Sequence, residues 1–258
     1  MKDIKIIVAT HKKYKMPDDI LYLPIHVGAN GKKSIGYVGD NTGDNISYKN
    51  PSFCELTGLY WAWKNLDCQY LGLSHYRRHF KGKRKNKNVF KNVISYEEVN
   101  KLLDETDIIV TKKREYYIES IYNHYAHTLH IETLDEARKI ILEKFPEYLT
   151  AFDTCMKHTY MHAFNMFIMK RELLDEYCTW LFDILFEIEN NLSDKEYDTF
   201  HARYPGRVSE LLLDVWLTKN NYSYKEIPFI YMEKINWYKK ITGFLKAKFF
   251  DKKYGESF

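Results

Sequence analysis

The chain lacks most of the features that announce a common architecture. Its 258 residues hold only 11 Gly and 6 Pro, and four cysteines, Cys54, Cys68, Cys155 and Cys178, that form no CxxC pair. A chain of this length needs no disulfide staples, so four buried thiols in a reduced setting are expected. No run of about 18 apolar residues exists to span a bilayer. Met1 to Thr10 reads as a strand rather than a signal peptide. There is no GxGxxG after a strand, no P-loop, no GxSxG and no HExxH, which excludes Rossmann dehydrogenases, P-loop NTPases, α/β-hydrolases and zincins. Charge of one sign is also missing. Lys plus Arg number 39 against 35 Asp plus Glu, a formal charge of +4. That is too balanced for a protein that coats nucleic acid, and no nucleic-acid partner is expected.

What is present is apolar bulk and aromatic rings. The hydrophobic fraction of 45% can bury a substantial core, and 22 Tyr with 15 Phe bring the aromatic fraction to 16%. Tyrosine suits sugars and nucleobases, because its ring stacks while its hydroxyl bonds the rim. A Tyr-rich core explains the same numbers equally well.

Ile4 to Ala9, Gln69 to Ser74 and Asp107 to Thr111 are short β-rich runs that read as strands, as do Ala163 to Met169 and Tyr224 to Tyr231. Between them, Phe53, Leu56, Leu59, Tyr60 and Trp63 recur at helical spacing after Asn50-Pro51-Ser52. Tyr96 to Leu103 reads as a short helix, Glu172 to Glu189 as a long one and Ser209 to Lys219 as another. Residues 26 to 50 form a long Gly/Asn/Asp segment, Lys81 to Lys91 a basic solvated loop, and Ser193 to Gly206 a loop. Strands alternating with helices predict an α/β domain with a mixed, mostly parallel sheet flanked by helices, plus a helical insertion.

The first and second strands deliver Thr10-His11-Lys12 and His75-Tyr76-Arg77-Arg78 to their C-terminal ends, the edge where open α/β sheets bind ligands. A nucleotide-sugar transferase needs a group there to neutralise a diphosphate. The usual device is a divalent metal on Asp-Xaa-Asp. The sequence contains no Asp-Xaa-Asp, and arginine forks can do the same work. His124, His127 and His130 recur every third residue and His158 and His162 are four apart, but no Cys or carboxylate motif completes a metal set.

The blocks DNTGDNIS, NPSFCELTGLYWAWKN and YLGLSHYRRHF resemble the bacterial capsular and exopolysaccharide glycosyltransferases catalogued as domain of unknown function 4422. The likeness continues through YNHYAHTLHIE, AFNMFIMKRELLDEYCTWLF and GRVSELLLDVWL, over roughly residues 3 to 231. The resemblance implies a GT-A-like domain over residues 1–235. It implies inverting transfer of a sugar, galactofuranose or galactose, from a UDP donor to a lipid-linked oligosaccharide in capsule, O-antigen or exopolysaccharide synthesis. No cofactor is expected, and a divalent metal is not required.

On that resemblance Thr10, His11 and Lys12 hold uridine and a phosphate, and Asp40, Asp44 and Asn45 bond ribose or sugar hydroxyls. His75, Arg77 and Arg78 face the diphosphate, and Asn165 contacts the donor sugar or the acceptor. Glu210, at the first turn of the helix that Ser209 would cap, is the expected base. Residues 236–258 form a basic aromatic tail, in which Trp237 to Tyr254 carry six Lys against one Asp. That composition fits an anionic membrane surface on the cytoplasmic side. The rival expectation is a non-catalytic carbohydrate-binding subunit of a polysaccharide assembly complex.

Overall fold

The computed structural model describes residues 1–233, so the basic tail lies outside the described residues. In chain order the elements are β1 (Ile4–Thr10), β2 (Tyr22–His26), β3 (Val38–Gly39), α1 (Asn50–Phe53), α2 (Leu56–Asn65), β4 (Tyr70–His75), β5 (Arg78–Phe80) and α3 (Tyr96–Leu102). They continue with β6 (Ile108–Thr111), β7 (Arg114–Glu115), α4 (Ile121–Thr128), α5 (Glu132–Lys144), α6 (Leu149–Lys157), β8 (Tyr160–Met161) and β9 (Phe167–Lys170). The last are α7 (Arg171–Asn191), α8 (Tyr204–Asn220), β10 (Lys225–Ile227) and β11 (Phe229–Tyr231). No helix among the described residues is long and apolar enough to cross a membrane.

The chain divides into two compact units. The first comprises Met1–Lys112, Ala163–Trp180 and Ser223–Glu233, and the second, among described residues, Lys113–His162 and Leu181–Tyr222.

The first unit carries a nine-stranded sheet whose main path runs β10-β6-β9-β4-β1-β2-β3. Along that path β9 alone runs against its neighbours, antiparallel to both β4 and β6. The expected mixed, mostly parallel sheet is therefore present. β1 can lie inside it, between β4 and β2, because it is apolar on both faces: Ile6, Ile7 and Val8 are fully buried. Each such side chain contributes about 1.5–3 kcal/mol. The register sets Ile6 opposite Gly72 on one side and Thr10 opposite His26 on the other. Helix α2 covers this part of the sheet with Leu56, Leu59 and Ala62, and it lies close because Gly58 has no side chain. A Cβ there would stand 2.7 Å from Val27. At its far end, Arg171 donates to the Trp63 carbonyl (2.6 Å) and the Leu66 carbonyl (2.9 Å), which would otherwise be left over at a helix terminus.

Three local expectations change. The helix after Asn50 is two helices, broken where Cys54 takes φ 51°. The HYRRHF block is not only the end of a strand: it turns back on it. His75 pairs antiparallel with Arg78 across a two-residue hairpin, Tyr76-Arg77, and β5 then pairs with β11. Residues 163–166 of the expected strand form a turn, so that β9 starts only at Phe167.

The second unit is helical apart from the β7–β8 ribbon, which matches the expected insertion in character. Its core includes Leu134, Ile141, Phe152, Leu212, Val215 and Trp216. Helix α8 begins at Tyr204 with Pro205 in its first turn, five residues earlier than the sequence spacing implies. Ser209 is thus no cap: its hydroxyl donates to the Gly206 carbonyl at 2.8 Å inside the helix. Glu210 consequently stands in the second turn.

Candidate functional site

The register of β1 with β4 places Ala9 opposite His75, so the loops that follow both strands leave the sheet side by side. Thr10 shapes the first of them. Its buried hydroxyl donates to the Lys12 carbonyl at 2.6 Å and accepts from the Lys12 N–H at 3.3 Å. That turn carries His11 and Lys12 onto the hairpin residue Tyr76. The His11 ring meets Tyr76 edge-on at 5.3 Å, the Lys12 ammonium stands 5.1 Å from the centre of the same ring, and the Arg77 guanidinium 5.4 Å from it. Three cationic or ionisable groups thus share one tyrosine.

Arg78 points elsewhere. Its guanidinium lies over the Phe164 ring at 4.4 Å and beside the Tyr231 ring at 5.6 Å, and Tyr231 is its partner across the β5–β11 ladder. Its buried Nε has no hydrogen-bond partner among the described residues. Among the described residues no carboxylate lies within ion-pair distance of Lys12, Arg77 or Arg78, although other surface cations such as Arg138 and Lys144 have one. Stacking on aromatic rings holds the cations without neutralising them.

Opposite them is a strained turn. Phe164 and Asn165 are consecutive non-glycine residues with φ 77° and 54°, and Cys54 has φ 51°. Each such residue costs roughly 1–3 kcal/mol unless its surroundings over-determine it. They do here. The His75 Nε2–H donates to the Phe164 carbonyl at 2.6 Å, and the buried Asn165 amide donates to Glu55 Oε1 at 2.8 Å. Asn50 holds the other strained residue by donating to the Cys54 carbonyl at 2.7 Å. Glu55 Oε1 stands 4.0 Å from His75 Nε2.

The residues expected to bind the donor therefore divide. Lys12 and Arg77 come together with His11 on Tyr76, Arg78 turns to Phe164 and Tyr231, and His75 commits its Nε2 to the backbone of the Phe164 turn. Asp40 is fully buried and accepts from the N–H groups of Gly28 (2.8 Å) and Ala29 (3.0 Å), from Thr57 (2.6 Å) and from Ser47. Its carboxylate builds the 26–50 loop, which corrects the expectation that it bonds a sugar or ribose hydroxyl. Asn45 likewise closes its own turn, donating to the Gly43 carbonyl and accepting from the Ser47 N–H. Asp44 is exposed and accepts from Tyr60 at 3.3 Å.

Glu210 belongs to the second unit. Its charge and that of Glu132 act on the hydroxyl of Tyr125, which burial above all pushes up to about 12. Carboxylates face most histidines of this unit: Glu119 meets both His127 at 3.0 Å and His124 at 3.4 Å, Glu132 meets His130 at 3.2 Å, Asp198 meets His201 at 2.7 Å, and Asp214 meets His162. Burial holds the neighbouring His124 down to about 4. Among the described residues no group of three or more His, Cys, Asp or Glu is placed to hold a metal ion.

The family described as Domain of unknown function (DUF4422) matches residues 5–221. The chain belongs to this family. Its fold is similar to the apo structure of the WbbM bifunctional glycosyltransferase, with a TM-score of 0.84 at 30% identity over 90% of this chain and 46% of that one. This chain thus spans about half the length of that structure. No curated protein matches the sequence.

In this DUF4422 chain the sequence reading missed Tyr76, Phe164, Tyr231 and Glu55. The first three look like core aromatics, and nothing local reveals that they carry cations. Glu55 looks like an ordinary residue of a helical run. Nothing in the local pattern sets it apart.

Proposed function

We propose that this chain is a glycosyltransferase that moves a sugar from a UDP donor to a glycan hydroxyl, inverting at the anomeric carbon and needing no divalent metal. The observation that carries this reading is a set of three cations at the C-terminal edge of a mostly parallel sheet, Lys12 and Arg77 on the ring of Tyr76 and Arg78 on that of Phe164, none of them within ion-pair distance of a carboxylate among the described residues. Such a cluster suits a diphosphate. Guanidinium forks bond phosphate oxygens in pairs, and the charge that grows on the departing diphosphate falls where positive charge already stands. The resemblance to a structure titled as a bifunctional glycosyltransferase supports the same class of chemistry. The acceptor in this reading is a lipid-linked oligosaccharide of capsule, O-antigen or exopolysaccharide synthesis, with galactofuranose or galactose as the sugar transferred.

An inverting transfer also needs a carboxylate to take the acceptor's proton. Glu210 of the second unit and Glu55 of the first are the two that stand for that part.

Calorimetric titration with UDP, in EDTA and then with manganese, tests the reading. Binding in EDTA that Arg77→Ala weakens at least tenfold supports cations in place of metal. Binding that appears only with manganese overturns the metal-free mechanism, and no binding under either condition overturns the donor assignment.

A further inference from the structure

The turn at Phe164 and Asn165 is unusual in serving two kinds of group from adjacent residues. The ring of Phe164 supports the Arg78 guanidinium at 4.4 Å, and the amide of Asn165 donates to Glu55 at 2.8 Å. We propose that Glu55, rather than Glu210, is the carboxylate that takes the acceptor's proton. This rests on the glycosyltransferase reading above.

Three observations converge on Glu55. It occupies the N-terminal boundary of α2 yet its side chain makes no cap, so the usual structural duty of an acidic residue there is not what holds it. It is aimed instead at His75 and Asn165, with its side chain 16% exposed. Non-glycine residues with positive φ also flank the contact on both sides, Cys54 preceding Glu55 and the Phe164–Asn165 pair opposite. Strain of this kind persists where a fixed geometry is used. An amide partner suits a base: it fixes one carboxylate oxygen by a neutral hydrogen bond, which lowers its basicity less than an arginine or lysine partner at that oxygen would. The cations lie in the same unit as Glu55.

The step this assigns is a single displacement. The acceptor hydroxyl oxygen forms a bond to the anomeric carbon as the bond from that carbon to the diphosphate oxygen breaks. The electron pair of the breaking bond leaves with UDP, whose added charge meets Arg77, Arg78 and Lys12. The hydroxyl proton passes to a Glu55 carboxylate oxygen. His75 and Asn165 are positioning residues, one fixing the turn and the other fixing Glu55.

The test follows UDP released from UDP-galactose and UDP-galactofuranose, to water or to an added oligosaccharide, beside UDP affinity by calorimetry. Glu55→Gln keeps an oxygen for Asn165 but loses basicity. It is expected to lower kcat roughly 10²- to 10⁴-fold while UDP affinity stays at the wild-type value. Added formate is expected to restore turnover to Glu55→Ala, since a small carboxylate in the vacated space takes the same proton, and a variant damaged only in folding gains nothing from it. Glu55→Gln turning over like the wild type overturns the assignment alone, as does a Glu55→Ala variant that loses UDP affinity and does not respond to formate. A wild type that releases UDP from neither donor overturns the transferase reading and the role of Glu55 together.

Discussion

Arg78 lies over Phe164, its guanidinium carbon 4.4 Å from the ring centre, on a phenylalanine whose own backbone is held at φ 77°. The ring fixes where the guanidinium points before any ligand arrives, so little side-chain entropy is lost on binding. Arg78→Ala is expected to weaken UDP binding roughly 10- to 100-fold, the equivalent of one charge-assisted contact. Arg78→Lys is expected to recover little of this, because an ammonium presents no planar fork and stacks less well. Calorimetry on the two variants checks both statements, and full recovery by lysine would show that only charge matters at this position.

Asp40 and Asp44 are four residues apart in the same loop and should respond in opposite ways. Asp40 is buried and accepts from two backbone N–H groups and two hydroxyls, so Asp40→Ala leaves four donors without their acceptor. Even partial loss at about 1–3 kcal/mol for each unsatisfied group predicts a variant destabilised by several kcal/mol. Asp44 is exposed, and Asp44→Ala is expected to stay within about 0.5 kcal/mol of wild type. Urea denaturation of the two variants distinguishes them, and an Asp40→Ala protein of unchanged stability would mean that the loop is not built around this carboxylate.

How much of this was legible depended on the kind of residue. Strands β1, β4 and β6 are continuous apolar runs and were readable, because burial on both faces of a mostly parallel sheet leaves no polar alternation to confuse them. Strand β2 was not, since Pro24 interrupts a five-residue segment that pairs with β1 only because β1 is already in place. The hairpin at Tyr76-Arg77 was unreadable for a related reason. Neither residue is a turn former, and the pairing of His75 with Arg78 is stabilised by β11, more than 140 residues later. The cations were found by their position after strands. Their seating on rings, Lys12 and Arg77 on Tyr76 and Arg78 on Phe164 and Tyr231, is a property of tertiary contacts that no local pattern contains. Asp40 was misjudged because Asp in a Gly-rich loop has the same composition whether it faces a ligand or its own backbone.

His79 gives the fold an acid-sensitive point. It is completely buried in β5, and burial, reinforced by the charge of His75, lowers it from 6.5 to about 3. The folded protein keeps this imidazole neutral at pH values where the unfolded chain protonates it. Its stabilising contribution is therefore complete above about pH 6.5 and falls by about 1.4 kcal/mol per pH unit as pH drops toward 3. Stability at pH 5.5 is expected to be lower than at pH 7.5 by about that amount from this residue, and His79→Gln should flatten the difference. Denaturation curves at the two pH values for both proteins decide it. An equal drop in the variant would place the acid sensitivity elsewhere.

Asn165 lets backbone and chemistry be separated. Its φ of 54° is a conformation that glycine adopts freely and alanine does not, and its amide is the group that holds Glu55. Asn165→Gly and Asn165→Ala remove the same amide, so both are expected to lose turnover to the same extent. They differ only in backbone fit. Alanine in the left-handed region costs roughly 1–2 kcal/mol that glycine does not incur, so the alanine variant should be the less stable of the two by about that margin. Measuring denaturation midpoints and UDP release side by side gives two independent readings of one residue. Equal stabilities would show that the left-handed turn is not required in solution. Retained turnover in both variants would show that Glu55 needs no partner at this position, and the link from turn to base would have to be abandoned.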